Sequence, residues 1–167
     1  MQPNIMKSAM QNGLILGGIF SLNFLLSTSK SSPLIFLTYF IAFFIVTIIY
    51  RFSIKFRNVE YEGIITYGRA FTYIILLFFY AALISTVVKY IFFRFVNPGY
   101  LETMFQDTMK MMETLKFPMT SAEIDQTESM FKPLSFSLLY IWSDVIMGTF
   151  VALIMAAFVK KNKSIFE

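Results

Sequence analysis

PLIFLTYFIAFFIVTIIY, residues 33–50, is the stretch that decides the fold, because it is an apolar run without a single charged residue. A helix needs about 20 mostly apolar residues to cross the hydrocarbon core of a bilayer, and this run is close to that length. Pro33 opens the run, and proline is tolerated in the first turn of a helix. The run therefore predicts a transmembrane helix over about 33–50.

Three further apolar runs predict transmembrane helices at about 9–26, 64–96 and 134–159. The composition agrees, since 57% of the residues are hydrophobic and 14% are charged, whereas soluble domains hold about 25% charged residues. The predicted fold class is all-α, a polytopic membrane protein with four transmembrane helices in a single membrane domain, 1–167. The first run could instead be a cleaved signal peptide, because basic Lys7 precedes it and small polar residues follow it.

The segment 97–133, between the third and fourth predicted crossings, differs from the rest because acidic and basic residues are spread along it. Its first half, about 98–115, has apolar residues at helical spacing, which places them on one helix face. This predicted amphipathic face consists of Leu101, Met104, Phe105, Met109, Met112 and Leu115. We therefore expect an extramembrane amphipathic helical segment between helices 3 and 4.

Local signals predict where the helices of this segment begin. Asn97 is expected as the cap of the first helix, with Pro98 at its first helical position. Thr120 and Glu123 have the spacing of a capping box, in which each side chain accepts a hydrogen bond from the backbone of the other residue. We expect a second, shorter helix to follow Thr120.

Lysine and arginine predict the orientation, because cytoplasmic flanks of membrane helices carry an excess of these residues. With the N-terminus inside, seven flanking basic residues are cytoplasmic: Lys7, Arg51, Lys55, Arg57, Lys160, Lys161 and Lys163. Five are then on the other side: Lys30, Arg94, Lys110, Lys116 and Lys132. Both termini are predicted to be cytoplasmic and 97–133 extracytoplasmic. Arg51, Lys55, Arg57, Glu60 and Glu62 are predicted to lie in a short polar loop between the second and third crossings.

Small residues recur at four-residue spacing in the first and last predicted helices, which places each set on one helix face. Faces of this kind let a second helix approach closely. The helix-packing residues predicted in this way are Ala9, Gly13, Gly17 and Ser21 in the first helix and Gly148, Ala152 and Ala156 in the last. The partner helix could belong to this chain or to a second copy.

Asp144 is an acidic residue inside the fourth predicted crossing. An acid near the middle of a membrane helix costs about 2.5–3.5 kcal/mol on insertion scales, so a partner should compensate for it. Lys89, on the third predicted crossing, is the expected partner in an intramembrane polar pair. Such a pair could be a proton or cation site, or it could be a structural clamp.

The residue inventory excludes several classes of function. Cysteine and histidine are absent, which removes thiol nucleophiles, disulfides, histidine metal sites and imidazole bases. We expect no enzyme, and no catalytic, cofactor-binding or metal-binding residues. The basic residues flank apolar runs instead of forming a patch interleaved with aromatics, so nucleic acid is not an expected partner.

Short motifs give the chain a resemblance to a known family. They are NGLILG at 12–17, YGRAF at 67–71, NPGYL at 97–101 and the lysine pair at 160–161. Together they resemble a bacterial family of small four-helix integral membrane proteins catalogued only as a domain of unknown function, over nearly the whole chain. The family carries an amide in place of Arg69 and an acidic residue in place of Gly99. The resemblance implies this architecture and a bacterial inner-membrane setting.

These observations lead to two expected functions. The first is a non-catalytic inner-membrane protein, a structural or interaction component that acts through its extracytoplasmic helical segment. Its expected partners are the lipid bilayer and a second copy or another membrane protein. The alternative is a small oligomeric proton- or ion-coupled transporter that uses Asp144 and Lys89.

Overall fold

The computed structural model describes residues 4–29 and 31–162; Lys30 and Lys163, used above to predict the orientation, lie outside them. The chain forms six α-helices in the described ranges: α1 Ile5–Ser27, α2 Ser32–Glu60, α3 Tyr67–Ile91, α4 Gly99–Thr114, α5 Ser121–Met130 and α6 Pro133–Val159. A π-helical turn, Phe92–Val96, continues α3. Of these helices α1, α2, α3 with its π-helical turn, and α6 are long and apolar enough to cross a membrane. The predicted all-α class with four transmembrane helices is confirmed.

The chain divides into two compact units. The first comprises Met1–Ser85 and Ile141–Glu167, and therefore holds α1, α2, most of α3 and most of α6. The second, Thr86–Tyr140, holds the end of α3, the π-helical turn, α4, α5 and the start of α6.

In the first unit, α1 packs against α3 through small residues. A Cβ atom added at Gly13 would lie 2.6 Å from Cβ of Tyr80, and one added at Gly17 would lie 2.7 Å from Cβ of Ile84. Only glycine permits this approach of the two backbones. The other two residues of the predicted small face, Ala9 and Ser21, are also buried.

The small face of α6 also packs on α3, in the same unit. The space where Gly148 would carry a side chain is filled by the ring of Phe78 on α3, and Ala152 and Ala156 are completely buried. Because both small faces are buried in this unit and all three glycine contacts are with α3, α3 is its central helix. Accordingly 44% of the apolar window of α3 is buried, against 11% for α2.

The second helix is longer than predicted, because α2 continues through Arg51 and Lys55 to Glu60. The short polar loop expected to begin at Arg51 is therefore wrong over 51–60. Arginine, lysine and glutamate are good helix formers, and this part of α2 still buries Ser53 and Phe56. The chain turns only afterwards, where Glu62 and Gly63 have φ angles of 52° and 86°.

The second unit contains the helices of the predicted extramembrane segment. The capping box is confirmed: the Thr120 hydroxyl accepts from the Glu123 N–H at 3.4 Å, and the Glu123 carboxylate accepts from the Thr120 N–H at 2.7 Å. The expected Asn97 cap is wrong by one residue, since Pro98 occupies the N-cap position of α4. The Asn97 N–H instead donates to the carbonyl of Phe92 at 2.8 Å, which closes the π-helical turn.

The end of α4 has the hydrogen bonds of a Schellman motif. The Phe117 N–H donates to the Met112 carbonyl at 3.0 Å, and the Lys116 N–H donates to the Glu113 carbonyl at 2.9 Å. Lys116 has a φ of 53°, the left-handed conformation that this motif requires and that glycine adopts most easily. The turn reverses the chain, so α4 and α5 form a helical hairpin, the α4–α5 hairpin, residues 99–130.

An aromatic cluster joins this hairpin to the rest of the second unit. The ring of Phe105 on α4 lies 5.6 Å from that of Phe131, which lies 5.2 Å from that of Phe136 on α6. Phe93 of the π-helical turn lies 5.8 Å from Tyr100. Ring pairs at these distances add about 0.5–1.5 kcal/mol each beyond the area that they bury.

Candidate functional site

Asp144 faces α3 in the first unit. The Ser85 hydroxyl donates to Oδ2 of Asp144 at 3.4 Å and also lies 3.2 Å from the carbonyl of Ala82. Ser85 is completely buried, whereas Asp144 is half-buried. The carboxyl group of Asp144 thus has a protein hydrogen-bond partner, which lowers the cost of placing it in an apolar helix.

Lys89 belongs to the second unit and is 4% exposed. Its Nζ atom lies 4.0 Å from the centroid of the Tyr140 ring, a cation–π contact that is worth about 2 kcal/mol when desolvated. The ion pair expected between Lys89 and Asp144 stays a prediction.

Neither Ser85 nor Tyr140 is predicted above as a partner of a charged residue, although the sequence contains a signal for them. Ser85 precedes Lys89 by four positions, and Tyr140 precedes Asp144 by four. Residues four apart lie on the same face of a helix. The signal is thus a polar or aromatic residue one helical turn before each charged residue: Ser85 before Lys89, and Tyr140 before Asp144.

The apolar face predicted on α4 is unevenly buried. Leu101 at its start is 3% exposed, Leu115 at its end is 64% exposed, and the four residues between them, Met104, Phe105, Met109 and Met112, are half-buried. Burial therefore decreases along the face toward the turn between α4 and α5.

That turn carries exposed apolar side chains, which we name the hairpin tip: Met111, Leu115 and Phe117. They are 57%, 64% and 67% exposed, respectively. Leu115 lies directly above Met111, since its N–H donates to the Met111 carbonyl at 3.0 Å. The hairpin tip therefore presents apolar surface outside the four candidate spans.

A polar cleft of 280 Å³ opens between α1 and α2 in the first unit. We name it the α1–α2 cleft, and its lining residues are Lys7, Ser8, Gln11, Asn12, Lys55, Phe56, Val59 and Glu60. From the sequence, Lys7 and Lys55 predict only orientation, and the other lining residues have no predicted role. The reason is that the cleft forms only when both helices are in place.

Hydrogen bonds and ring stacking hold the two walls of the α1–α2 cleft. The Asn12 side-chain amide donates to the Tyr73 hydroxyl at 2.8 Å, and the Tyr73 ring stacks on Phe56 at 3.9 Å between centroids. Where α1 begins and α2 ends, the Asn4 N–H donates to the Glu60 carboxylate at 3.0 Å. These contacts therefore fix the positions of α1 and α2 on either side of the cleft.

Further basic residues described in the first unit lie at the same end as this cleft. Arg57, near the end of α2, donates to the carbonyl of Val159 at the end of α6, and the guanidinium of Arg69 lies 5.1 Å from the centroid of the Tyr61 ring. Ile65 and Lys161 exchange backbone hydrogen bonds of 3.1 and 3.0 Å. The basic flanks of four helices are thus gathered at one end of this unit.

Four candidate spans and an all-helical chain define the class: an α-helical, multi-pass membrane protein. Within that class, a family model described as "Protein of unknown function (DUF4199)" matches residues 11–161. The chain belongs to the DUF4199 family. Comparison with curated proteins and with solved structures finds no match.

Proposed function

We propose that this protein is a non-catalytic component of a bacterial inner membrane that associates with a partner protein through its α4–α5 hairpin. The observation that carries the proposal is the exposed hairpin tip, Met111, Leu115 and Phe117. Exposed apolar surface of this kind costs about 25 cal/mol per Å² relative to burial. Apolar patches rimmed by polar residues often mark interaction sites.

The charge of the hairpin region favours a protein over the lipid surface as its partner. Residues 97–133 hold six acidic residues and three lysines. Anionic lipid surfaces attract basic segments and repel acidic ones. The apolar tip of an acidic hairpin is therefore better suited to a groove on a protein, either a second copy of this chain or another membrane protein.

The gathered basic end of the first unit supports the orientation. If that end is cytoplasmic, both termini are cytoplasmic and the α4–α5 hairpin is on the other side of the membrane, in agreement with the excess of lysine and arginine on cytoplasmic flanks. The absence of cysteine and histidine supports a non-catalytic role, because the usual nucleophile and base pairs cannot form. The alternative, an ion-coupled transporter using Asp144 and Lys89, has no support in the family description, and we do not propose it.

Photocrosslinking in native membranes tests the hairpin tip. A photoreactive amino acid replaces Leu115 or Phe117 of the tip, and the matched control replaces Gln126, an exposed residue of α5. We expect a discrete protein adduct from the two tip positions and none from the control, with mass spectrometry identifying the partner. Adducts with lipid alone, or the same adduct pattern from all three positions, would exclude a protein-binding tip.

A further inference from the structure

We propose that the α1–α2 cleft binds the phosphate headgroup of an anionic phospholipid. The inference is independent of the hairpin and of the orientation of the protein. It starts from two ammonium groups, those of Lys7 and Lys55, which line one 280 Å³ cleft from two different helices. Basic pockets between membrane helices are typical sites for such headgroups.

The chemistry of the lining suits a phosphodiester. Beside the two lysines, the side-chain amide of Gln11 supplies a neutral hydrogen-bond donor, whereas the Ser8 hydroxyl is already hydrogen-bonded to Tyr73. Lysine acts as a point charge toward phosphate, and charge-assisted hydrogen bonds to phosphate are about twice as strong as neutral ones. The two cations and this neutral donor together can neutralise and hold one phosphate group.

The acidic residue in the lining, Glu60, offsets one of the two lysine charges, and the cleft keeps a net positive charge. The Glu60 carboxylate accepts the Asn4 N–H at 3.0 Å, which joins the start of α1 to the end of α2. In the part of the chain that the structure describes, neither Lys7 nor Lys55 forms an ion pair within 4.0 Å. Both ammonium groups thus keep their capacity for an anionic ligand.

The depth of the cleft matches the headgroup region of a bilayer. Lys7 lies just before the apolar run of α1, and Lys55 lies five residues beyond Tyr50, where the apolar run of α2 ends. Five residues of helix rise about 7.5 Å. Lysine and arginine at this level, at the ends of the apolar spans, are typical of the membrane–water interface.

The neighbouring surface favours a lipid over free phosphate. Leu14 and Ile15 follow Gln11 by three and four positions on α1, and they are 51% and 55% exposed. Residues three and four apart are neighbours on a helix surface. An apolar track therefore leads from the cleft along α1 into the membrane, where an acyl chain attached to a bound phosphate would lie.

The test measures lipid binding to the intact protein in detergent by native mass spectrometry. The probes are phosphatidylglycerol, phosphatidylcholine and inorganic phosphate. The test variant is Lys7→Gln with Lys55→Gln, and the matched control is Lys110→Gln with Lys116→Gln, which removes the same charge from the hairpin region. One lysine near a membrane surface is worth about 1 kcal/mol, which is about fivefold in affinity.

We expect the wild type to prefer phosphatidylglycerol, and the cleft variant to bind it about twentyfold more weakly, with the control unchanged. Lys7→Arg with Lys55→Arg should retain binding. If the double glutamine variant does not fold, the single variants should each lose about fivefold. Equal binding of phosphatidylcholine, an equal loss in the control, or full competition by inorganic phosphate would overturn the assignment.

Discussion

Arg57 and Val159 are 102 positions apart in sequence, and Nη1 of Arg57 donates a hydrogen bond of 3.0 Å to the carbonyl oxygen of Val159. Val159 is the last residue of α6, so its carbonyl has no partner within the helix. A cation at the carboxyl end of a helix also interacts favourably with the helix dipole. Arg57 therefore fixes the end of α6 to α2, next to the backbone pair of Ile65 and Lys161.

The first prediction concerns a variant that lacks the hydrogen bond between Arg57 and Val159. Arg57→Ala should lower the free energy of unfolding by about 1.5–3 kcal/mol, the contribution of a hydrogen bond that involves a charged group. Thermal unfolding in detergent measures the change. Arg51→Ala is the control, because Arg51 is an exposed residue of the same helix. An equal loss in both variants would show that charge at this end matters and the Val159 contact does not.

The second prediction concerns the close approach of α1 to α3. Gly17→Ala should destabilise the protein by about 1–3 kcal/mol, the typical cost of overpacking. The added Cβ would lie 2.8 Å from the carbonyl oxygen of Ala81, which cannot move without the helix backbone. Gly18→Ala is the control, since nothing lies within 4 Å of a Cβ there. We expect Gly18→Ala to be neutral or stabilising by up to about 1 kcal/mol, because alanine favours helices. Equal unfolding temperatures for the two variants would contradict the packing.

The sequence predicts most of this fold because its strongest signals are local. Apolar runs, the Thr120–Glu123 box and four-residue spacing of small residues each depend on a few neighbouring positions. The contact of Arg57 with Val159 and the α1–α2 cleft depend on residues far apart in sequence, which no local pattern relates. The extension of α2 to Glu60 was missed for another reason: charge suggested a loop, although these residues favour helix and bury Ser53 and Phe56 on its inner face.

The third prediction uses the left-handed residue at the end of α4. Lys116 has a φ of 53°, which costs a residue with a Cβ about 1–2 kcal/mol and costs glycine little. Lys116→Gly should therefore protect the amides of the α4–α5 hairpin more strongly in hydrogen exchange. Lys110→Gly, within α4, should weaken protection, because glycine in a helix interior costs about 1 kcal/mol. Weaker protection in both variants would show that the turn gains nothing from glycine.

The fourth prediction concerns pH. Hydrogen bonds from the backbone N–H and the hydroxyl of Thr120 hold the pKa of Glu123 below its ordinary value, which is about 4.3. A carboxyl group with a lowered pKa in the folded state adds stability above its unfolded pKa, and this stability is lost as the pH falls through the folded pKa. Protection of the first amides of α5 should therefore decrease below about pH 4.

Glu123→Gln is the matched variant for the pH dependence. Glutamine can fill the same position of a capping box, but it does not titrate. We expect this variant to keep a capped α5 and to show a flat profile over the same pH range. A wild-type profile that is equally flat would mean that the carboxylate contributes nothing to the cap.

The last prediction tests the pair proposed between Lys89 and Asp144 by a double-mutant cycle of Lys89→Met and Asp144→Asn. Lys89→Met removes the Lys89 contact with Tyr140 in the wild type and in the Asp144→Asn background, so the free energy of that contact cancels from the coupling. Asparagine at position 144 can still accept a hydrogen bond from Ser85. If the two charges interact, the coupling free energy should be about 1–3 kcal/mol, whereas independent sites add to within about 0.3–0.5 kcal/mol. A coupling in the lower range would show that the two charges do not interact with each other. The polar residues of α3 and α6 would then be two separate anchors, and neither could act as the counter-ion of the other.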